Sequence, residues 1–290
     1  MIFSDCLKIS IFTAVLVAFV AIAWPKPKYD DAALGSGVMF DSIAERYDFI
    51  NKFLSLGMDM RWRKSFIERM GIERGDRILD LATGTGDVAI LQGKILQSLN
   101  LESNFSSTVT GIDPSHKMLA IGREKVKENN LHERVHLKYG DAQNLRDIPD
   151  SSFEIVSMAF GIRNIEDRDA ALKEMARIAA PNATIAIMEL HAPFQGPFAS
   201  VGKALVKLIP FVLGIVSGCP SQYNHLKDSI FAFPSPELWM GKMKENGLEV
   251  VEARSELLGL IWMYYAVPIK KWHISEGESG AQRSEEREEA

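Results

Sequence analysis

Arg77-Ile-Leu-Asp-Leu-Ala-Thr-Gly-Thr-Gly-Asp87 is the stretch whose reading decides the fold. After Arg77 comes a short apolar run broken only by Asp80, the pattern of a strand covered on both faces. Gly84 and Gly86 then let the backbone turn tightly and approach a ligand closely. The helix that follows offers unpaired N–H groups at its start. The spacing Gly84-x-Gly86-x-x-Ala89 also satisfies the dinucleotide fingerprint G-x-G-x-x-[GA]. A nicotinamide oxidoreductase therefore has to be weighed, as does a bare glycine turn that closes a strand–helix unit.

The alternation continues outward from this point. Asp87 to Leu99 reads as a helix, Val109–Asp113 as a second strand, and the stretch through Lys127 as a helix. Val135–Tyr139 is a third strand, Phe153–Met158 a fourth, Asp167–Ile178 a helix and Ala183–Met188 a fifth strand. Ser235 and Pro236 supply an N-cap and a first helical residue, and Gly247 the stop. Leu248–Ala253 and Leu257–Val267 then read as an antiparallel return at the sheet edge. Residues 37–70 carry apolar residues at helical spacing, as in Ile43, Tyr47, Ile50 and Leu54. Strands alternating with helices predict an α/β, Rossmann-like fold: a mainly parallel seven-stranded sheet with helices on both faces and helical lid additions.

Three acidic residues choose among the ligands. Asp80, Asp113 and Asp141 end the first three strands, on the edge where open α/β sheets bind ligands. A pyrophosphate would be repelled by Asp80. S-adenosylmethionine (SAM) carries an α-ammonium and a sulfonium but no phosphate, and an acidic loop suits it. Asp113 is placed to take ribose hydroxyls, and Asp141, with Ala142 beside it, to accept from the adenine amino group. One such aspartate is an ordinary turn former; three in register are harder to dismiss.

Composition narrows the partners. The net charge of −5 and the lack of a Lys/Arg-rich run in the body give no nucleic-acid surface. With two cysteines, Cys6 and Cys219, and no Cys/His cluster, no metal is expected. The uncharged run Ile9–Trp24, flanked by Lys8 and Lys26, spans about 24 Å as a helix. It reads as a short membrane anchor or as a targeting peptide cleaved near Ala21-Ile22-Ala23. Phe198–Val216 reads as a lid helix, a channel for an apolar tail or a membrane-surface segment. Ser275–Ala290 reads as a disordered acidic tail. The expected organisation is an anchor or targeting segment at 1–28, one catalytic domain at 29–270 and a tail at 271–290.

Phe40-Asp-Ser-Ile-Ala-Glu-Arg-Tyr-Asp48, Asn51, Trp62, Asp80–Asp87, Phe160-Gly-Ile-Arg-Asn164 and Tyr223-x-His-Leu226 resemble the ubiquinone/menaquinone biosynthesis C-methyltransferase family, over about residues 38–268. That resemblance implies the class I methyltransferase fold and SAM as methyl donor. Cofactor contacts are then expected from Tyr47, Asp80, Ala82, Gly84, Gly86, Asp113, Met118, Asp141, Ala142 and Phe160. Two departures stand out: Ala-Pro181-Asn-Ala replaces the usual Lys-Pro-Gly-Gly turn, and His225 stands where many members have a second tyrosine.

The implied reaction is methylation of a ring carbon of a polyprenylated benzoquinol or naphthoquinol. Arg163 is expected to stabilise the developing oxyanion and Asn164 to orient the hydroxyl. Tyr47 and Tyr223 are expected to close over cofactor and substrate, and His191 is a minor candidate base. A prenylated quinol substrate lives in the bilayer and implies a membrane-associated enzyme, at the mitochondrial inner membrane first in a eukaryote, with plastid or another membrane as the alternative. A homodimer or a quinone-biosynthesis complex stays open as partner. The competing readings are the oxidoreductase and a non-catalytic member of such a complex.

Overall fold

The computed structural model describes residues 36–55, 57–99, 107–192 and 220–269, together with positions 200, 203 and 206. The apolar run 9–24, most of 198–216, and the tail 275–290 lie outside the described residues.

Strand β1 (Arg77–Leu81) is buried at every residue after Arg77. A strand dry on both faces belongs in the middle of a sheet. β1 pairs in parallel with β2 (Thr108–Asp113) on one side and β4 (Phe153–Ala159) on the other. β3 (Val135–Tyr139) lies beyond β2, and β5 (Ala179–Leu190) beyond β4. A hairpin of β6 (Leu248–Glu256) and β7 (Ile261–Pro268) returns antiparallel, giving the order β3-β2-β1-β4-β5-β7-β6. This is the seven-stranded sheet that the alternation predicts. Strand order reverses between β1 and β4, and ligands of open α/β sheets bind in the crevice at the carboxyl ends flanking such a reversal.

The helical stretch expected over 37–70 divides into α1 (Gly37–Leu54) and α2 (Asp59–Glu68). Then follow α3 (Asp87–Leu99), α4 (His116–Glu128), α5 (Arg168–Ile178), α6 (Pro220–Ala232) and α7 (Pro236–Glu245). Ser115, Asp167 and Ser235 cap α4, α5 and α7 by accepting the N–H of Met118, Ala170 and Leu238. One face of the sheet packs Leu172, Met175 and Ile178 of α5 with Trp239 and Met243 of α7. The other packs Phe66 and Ile67 of α2 with Leu96 of α3 and Leu119 of α4. Each such side chain contributes about 1.5–3 kcal/mol over its exposed state, against about 0–1 kcal/mol for a surface ion pair. The apolar layers hold the crevice rigid.

Two boundaries differ from expectation for identifiable reasons. β5 leaves α5 directly at Ala179, and the turn expected at Pro181 becomes an exposed bulge between the pairs Phe153–Ala179 and Ile155–Thr184. Proline lacks the N–H that a ladder needs, and a bulge accommodates it. β7 starts at Ile261 because Leu257–Gly259 forms a tight turn, with Leu257 and Leu258 at φ of 49° and 57°.

Candidate active site

Asp80 leaves the carboxyl end of β1 inside the crevice and is 1% exposed. Its carboxylate accepts from the Thr83 hydroxyl and, across the β1–β4 pair, from the Ser157 hydroxyl, each at 2.7 Å. Ser157 in turn accepts from Gln92 Nε2 of α3 at 2.9 Å. Burial pushes the Asp80 carboxyl up to about 6, opposed only in part by the two hydroxyls and the Arg63 guanidinium. A carboxylate this dry favours a cationic ligand group.

The following loop takes left-handed steps at Ala82, Gly84 and Gly86, with φ of 51°, 56° and 81°. Glycine accepts that conformation without Cβ strain. The Gly84 N–H donates to Asp113 Oδ2 at 2.8 Å, and Asp113 Oδ1 takes the Ser115 N–H at 2.8 Å. Burial raises the Asp113 carboxyl, and these two backbone bonds oppose the rise. A dinucleotide pyrophosphate would need the loop N–H that Asp113 already holds, and it would face two buried carboxylates. The oxidoreductase reading fails on those grounds.

Tyr47, Asp80, Ala82 and Gly84 line one small cavity, joined by Arg63 from α2. The added helix α1 is fastened over this loop at two points. Asp48 accepts from the Thr85 hydroxyl at 2.6 Å and from Lys125 Nζ at 3.0 Å, and Lys125 also pairs with Asp87. Asp41 accepts from the Ser115 hydroxyl at 2.6 Å and the Lys117 N–H at 2.8 Å. Tyr47 lies between these fastenings, half-buried and edge-on to Phe40. Burial raises its hydroxyl's pKa; Asn51 and the charges of Arg63 and Arg163 oppose this, and Asp113 adds to it.

The segment Phe160-Gly-Ile-Arg-Asn164 crosses this loop. A Cβ on Gly161 would lie 2.5 Å from that of Ala82, so glycine alone permits the crossing. The turn Ile162–Asn164 then carries Arg163 and Asn164. Arg163 is 7% exposed and pairs through Nη1 with Glu189, which is fully buried at the end of β5. Glu189 also accepts the Arg163 backbone N–H at 3.0 Å, and Arg163 Nε donates to Ser229 of α6 at 2.9 Å. Among the described residues Nη2 carries no side-chain partner. Asn164 Oδ1 meets His225 Nε2 at 3.3 Å.

The other expected site residues separate. Met118 is 1% exposed in the first turn of α4, and Ala142 is 6% exposed after β3. Phe160, at φ 60°, carries the Arg63 guanidinium over its ring. Asp141 is on the expected edge but exposed, its carboxylate held by the Gln143 N–H at 2.9 Å and by the Gln143 amide. The Tyr223 backbone lies in α6, and its side chain lies outside the described residues.

His191 is not a base. The Pro234 carbonyl can only accept, so Nδ1 donates to it at 3.1 Å, and Nε2 accepts from the Tyr264 hydroxyl at 3.0 Å. Burial lowers this histidine to about 4, and it stays neutral near pH 7. Among the described residues no group of three or more His, Cys, Asp or Glu side chains could hold a metal ion, and no helix is long and apolar enough to cross a membrane.

Sequence reasoning missed Arg63, Glu189 and Lys125, and gave Asp48 no role beyond its place in the Arg-Tyr-Asp motif. Glu189 had a signal, a lone carboxylate in the apolar run Ile185–Leu190, which requires a buried partner. Arg63 and Lys125 had none, because only the fold brings them to the loop.

The chain matches the ubiE/COQ5 methyltransferase family over residues 30–268. It is 35% identical over 229 residues to the ubiquinone/menaquinone biosynthesis C-methyltransferase UbiE of Geotalea daltonii, covering 78% of this chain and 93% of that protein. It is 38% identical over 221 residues to the demethylmenaquinone methyltransferase of Thermus thermophilus, covering 76% and 94%. Its fold is similar to that of a SAM-dependent methyltransferase from Aquifex aeolicus, with a TM-score of 0.55 at 18% identity over 83% of this chain and 100% of that one. The buried carboxylates Asp80 and Asp113, flanking a loop whose glycine N–H is already taken, fit a cationic, phosphate-free cofactor and agree with SAM as methyl donor. By sequence and by fold, the chain belongs to the ubiE/COQ5 methyltransferase family and is a SAM-dependent methyltransferase.

Proposed function

We propose that this enzyme methylates a ring carbon of a polyprenylated benzoquinol or naphthoquinol in the biosynthesis of a ubiquinone- or menaquinone-type quinone. The observation that carries the reading is the crossing of the Arg163–Asn164 turn over the Asp80–Gly86 loop, made close by Gly161. That crossing sets a buried cation beside the methyl-donor cavity, where a quinol ring would meet the donor. The names of the relatives agree with it.

The chemistry follows from ordinary acidities. A phenol with a pKa of about 10 is a poor carbon nucleophile until its proton leaves. SAM supplies an electrophilic methyl group. Arg163, held by Glu189 and Ser229, presents its remaining N–H groups to the ring oxygen and stabilises the phenolate. A guanidinium is no base, so the hydroxyl proton goes to water. As the ring carbon takes the methyl group the bond from that methyl to sulfur breaks and S-adenosylhomocysteine leaves, and the proton displaced from the ring carbon returns to the ring oxygen and restores the aromatic ring. Asn164, turned by His225, orients the hydroxyl, and Tyr47 and Tyr223 close the site against solvent. Asp80 and Asp113 hold the donor, with Gly84, Gly86, Ala82, Met118, Asp141, Ala142 and Phe160 shaping its seat.

The prenyl tail places this chemistry at a membrane. We extend the reading to a membrane anchor or targeting segment at 1–28, a catalytic domain at 29–270 and a tail at 271–290. The test is incubation of the full chain with labelled SAM and short-chain demethylated quinols of both ring classes. Label in one or both quinols supports the reading. A chain that binds SAM and labels neither quinol overturns it.

A further inference from the structure

Arg63 has no part in the transfer step, yet it lines the cofactor cavity with Asp80, Gly84 and Thr85. It is 6% exposed, and a guanidinium that dry needs partners. Those observed use only part of it. Nη1 donates to Asp59 one helical turn away at 3.0 Å, Nη2 lies 3.8 Å from Asp87, and the Phe160 ring lies 5.7 Å beneath. Lys125 holds Asp87 more closely than Arg63 does. A guanidinium has five N–H donors in a flat fork, so several remain for the cavity.

Asp80 stands on the same cavity, and the charge of Arg63 acts on its carboxyl. A buried anion and a buried cation lining one cavity complement a zwitterion. The nucleobase and ribose offer no anionic group for the cation to grip. The amino-acid end of SAM carries an α-ammonium and an α-carboxylate, and a carboxylate is the group a guanidinium fork grips with two bonds. We propose that Arg63 anchors the α-carboxylate of SAM, opposite the Asp80 site for the α-ammonium, with Asp59 as the positioning residue that aims the fork. The proposal rests on the reading of this cavity as the methyl-donor site.

Calorimetry on the full chain tests it with two ligands. S-adenosylhomocysteine keeps the amino-acid end; 5′-methylthioadenosine lacks it. Arg63→Gln should weaken S-adenosylhomocysteine by roughly ten- to a hundredfold and leave 5′-methylthioadenosine within about twofold. Arg63→Lys, which keeps the charge and loses the fork, should fall between. Equal losses for both ligands, or an unchanged affinity for S-adenosylhomocysteine, overturn the assignment. Should Arg63→Gln fail to fold, the ratio of the two affinities in Arg63→Lys decides: a fall supports the anchor and an unchanged ratio refutes it. A wild-type chain that binds neither ligand would overturn the cavity reading itself, a failure distinct from that of Arg63.

Discussion

Arg163 and Glu189 form an ion pair sealed from solvent, with side-chain exposures of 6% and 0%, and it ties the turn after β4 to the end of β5. In the proposed mechanism the pair aims one edge of a cation at the substrate, which would tie function to stability at this point.

Removing one partner strands the other charge in a dry site. Glu189→Ala should lower unfolding free energy by about 3–5 kcal/mol in urea denaturation, and Glu189→Gln by less, because its amide still accepts from Arg163. Arg163→Lys keeps the charge and loses the fork. It should cut kcat/KM for the quinol by about a hundredfold while SAM affinity stays within about twofold. A proportional loss of SAM binding would move Arg163 to the cofactor site.

Asp80 is costly to the fold, and in the proposed cofactor site its charge serves the ligand. Its carboxyl is raised by burial to about 6, so the folded state binds more protons than the unfolded state between about pH 4 and 6, and the charged form costs about 3 kcal/mol above that window. Asp80→Asn should therefore gain up to about 3 kcal/mol at pH 7 and almost nothing at pH 4, while SAM affinity falls at least a hundredfold. Unfolding curves and calorimetry at both pH values check the two halves.

The same acidity governs binding by the wild type. Only ionised Asp80 attracts the α-ammonium, so SAM affinity should be level above about pH 7 and drop about tenfold per pH unit below 6. Bound SAM stabilises the ionised form, so binding at pH 6 should release about half a proton per SAM bound. Titrations in two buffers of different ionisation enthalpy measure that release. A flat affinity down to pH 5 would remove Asp80 from the ammonium site.

Asp48, Thr85 and Lys125 fasten α1 over the loop. The Asp48 and Lys125 side chains are 41% and 24% exposed, so loss of the pair should change global stability by no more than about 1 kcal/mol. Asp48→Ala should instead raise the KM for SAM several-fold and speed hydrogen exchange in α1. An unchanged KM would leave α1 as packing alone.

The sheet was legible in the sequence because its strands are short apolar runs punctuated by glycine and capped helices. Ser115, Asp167 and Ser235 cap the helices they precede. The carboxyl-edge placement of Asp80 and Asp113 was legible for the same reason. Pro181 misled because it reads as a turn, while a bulge in a long strand accepts it equally well. Arg63 and Lys125 were invisible because a helical sequence does not say which loop its face will meet. His191 shows the reverse: its residue type suits chemistry, yet it spends both ring nitrogens on nearby groups.

The position of the transferred methyl group tests the account most directly. With carbon-13-labelled SAM and a short-chain quinol, the product's NMR spectrum should show the label as a methyl group on a ring carbon, with one S-adenosylhomocysteine formed per label. A label found as a methoxy group, on a ring oxygen, would contradict the account.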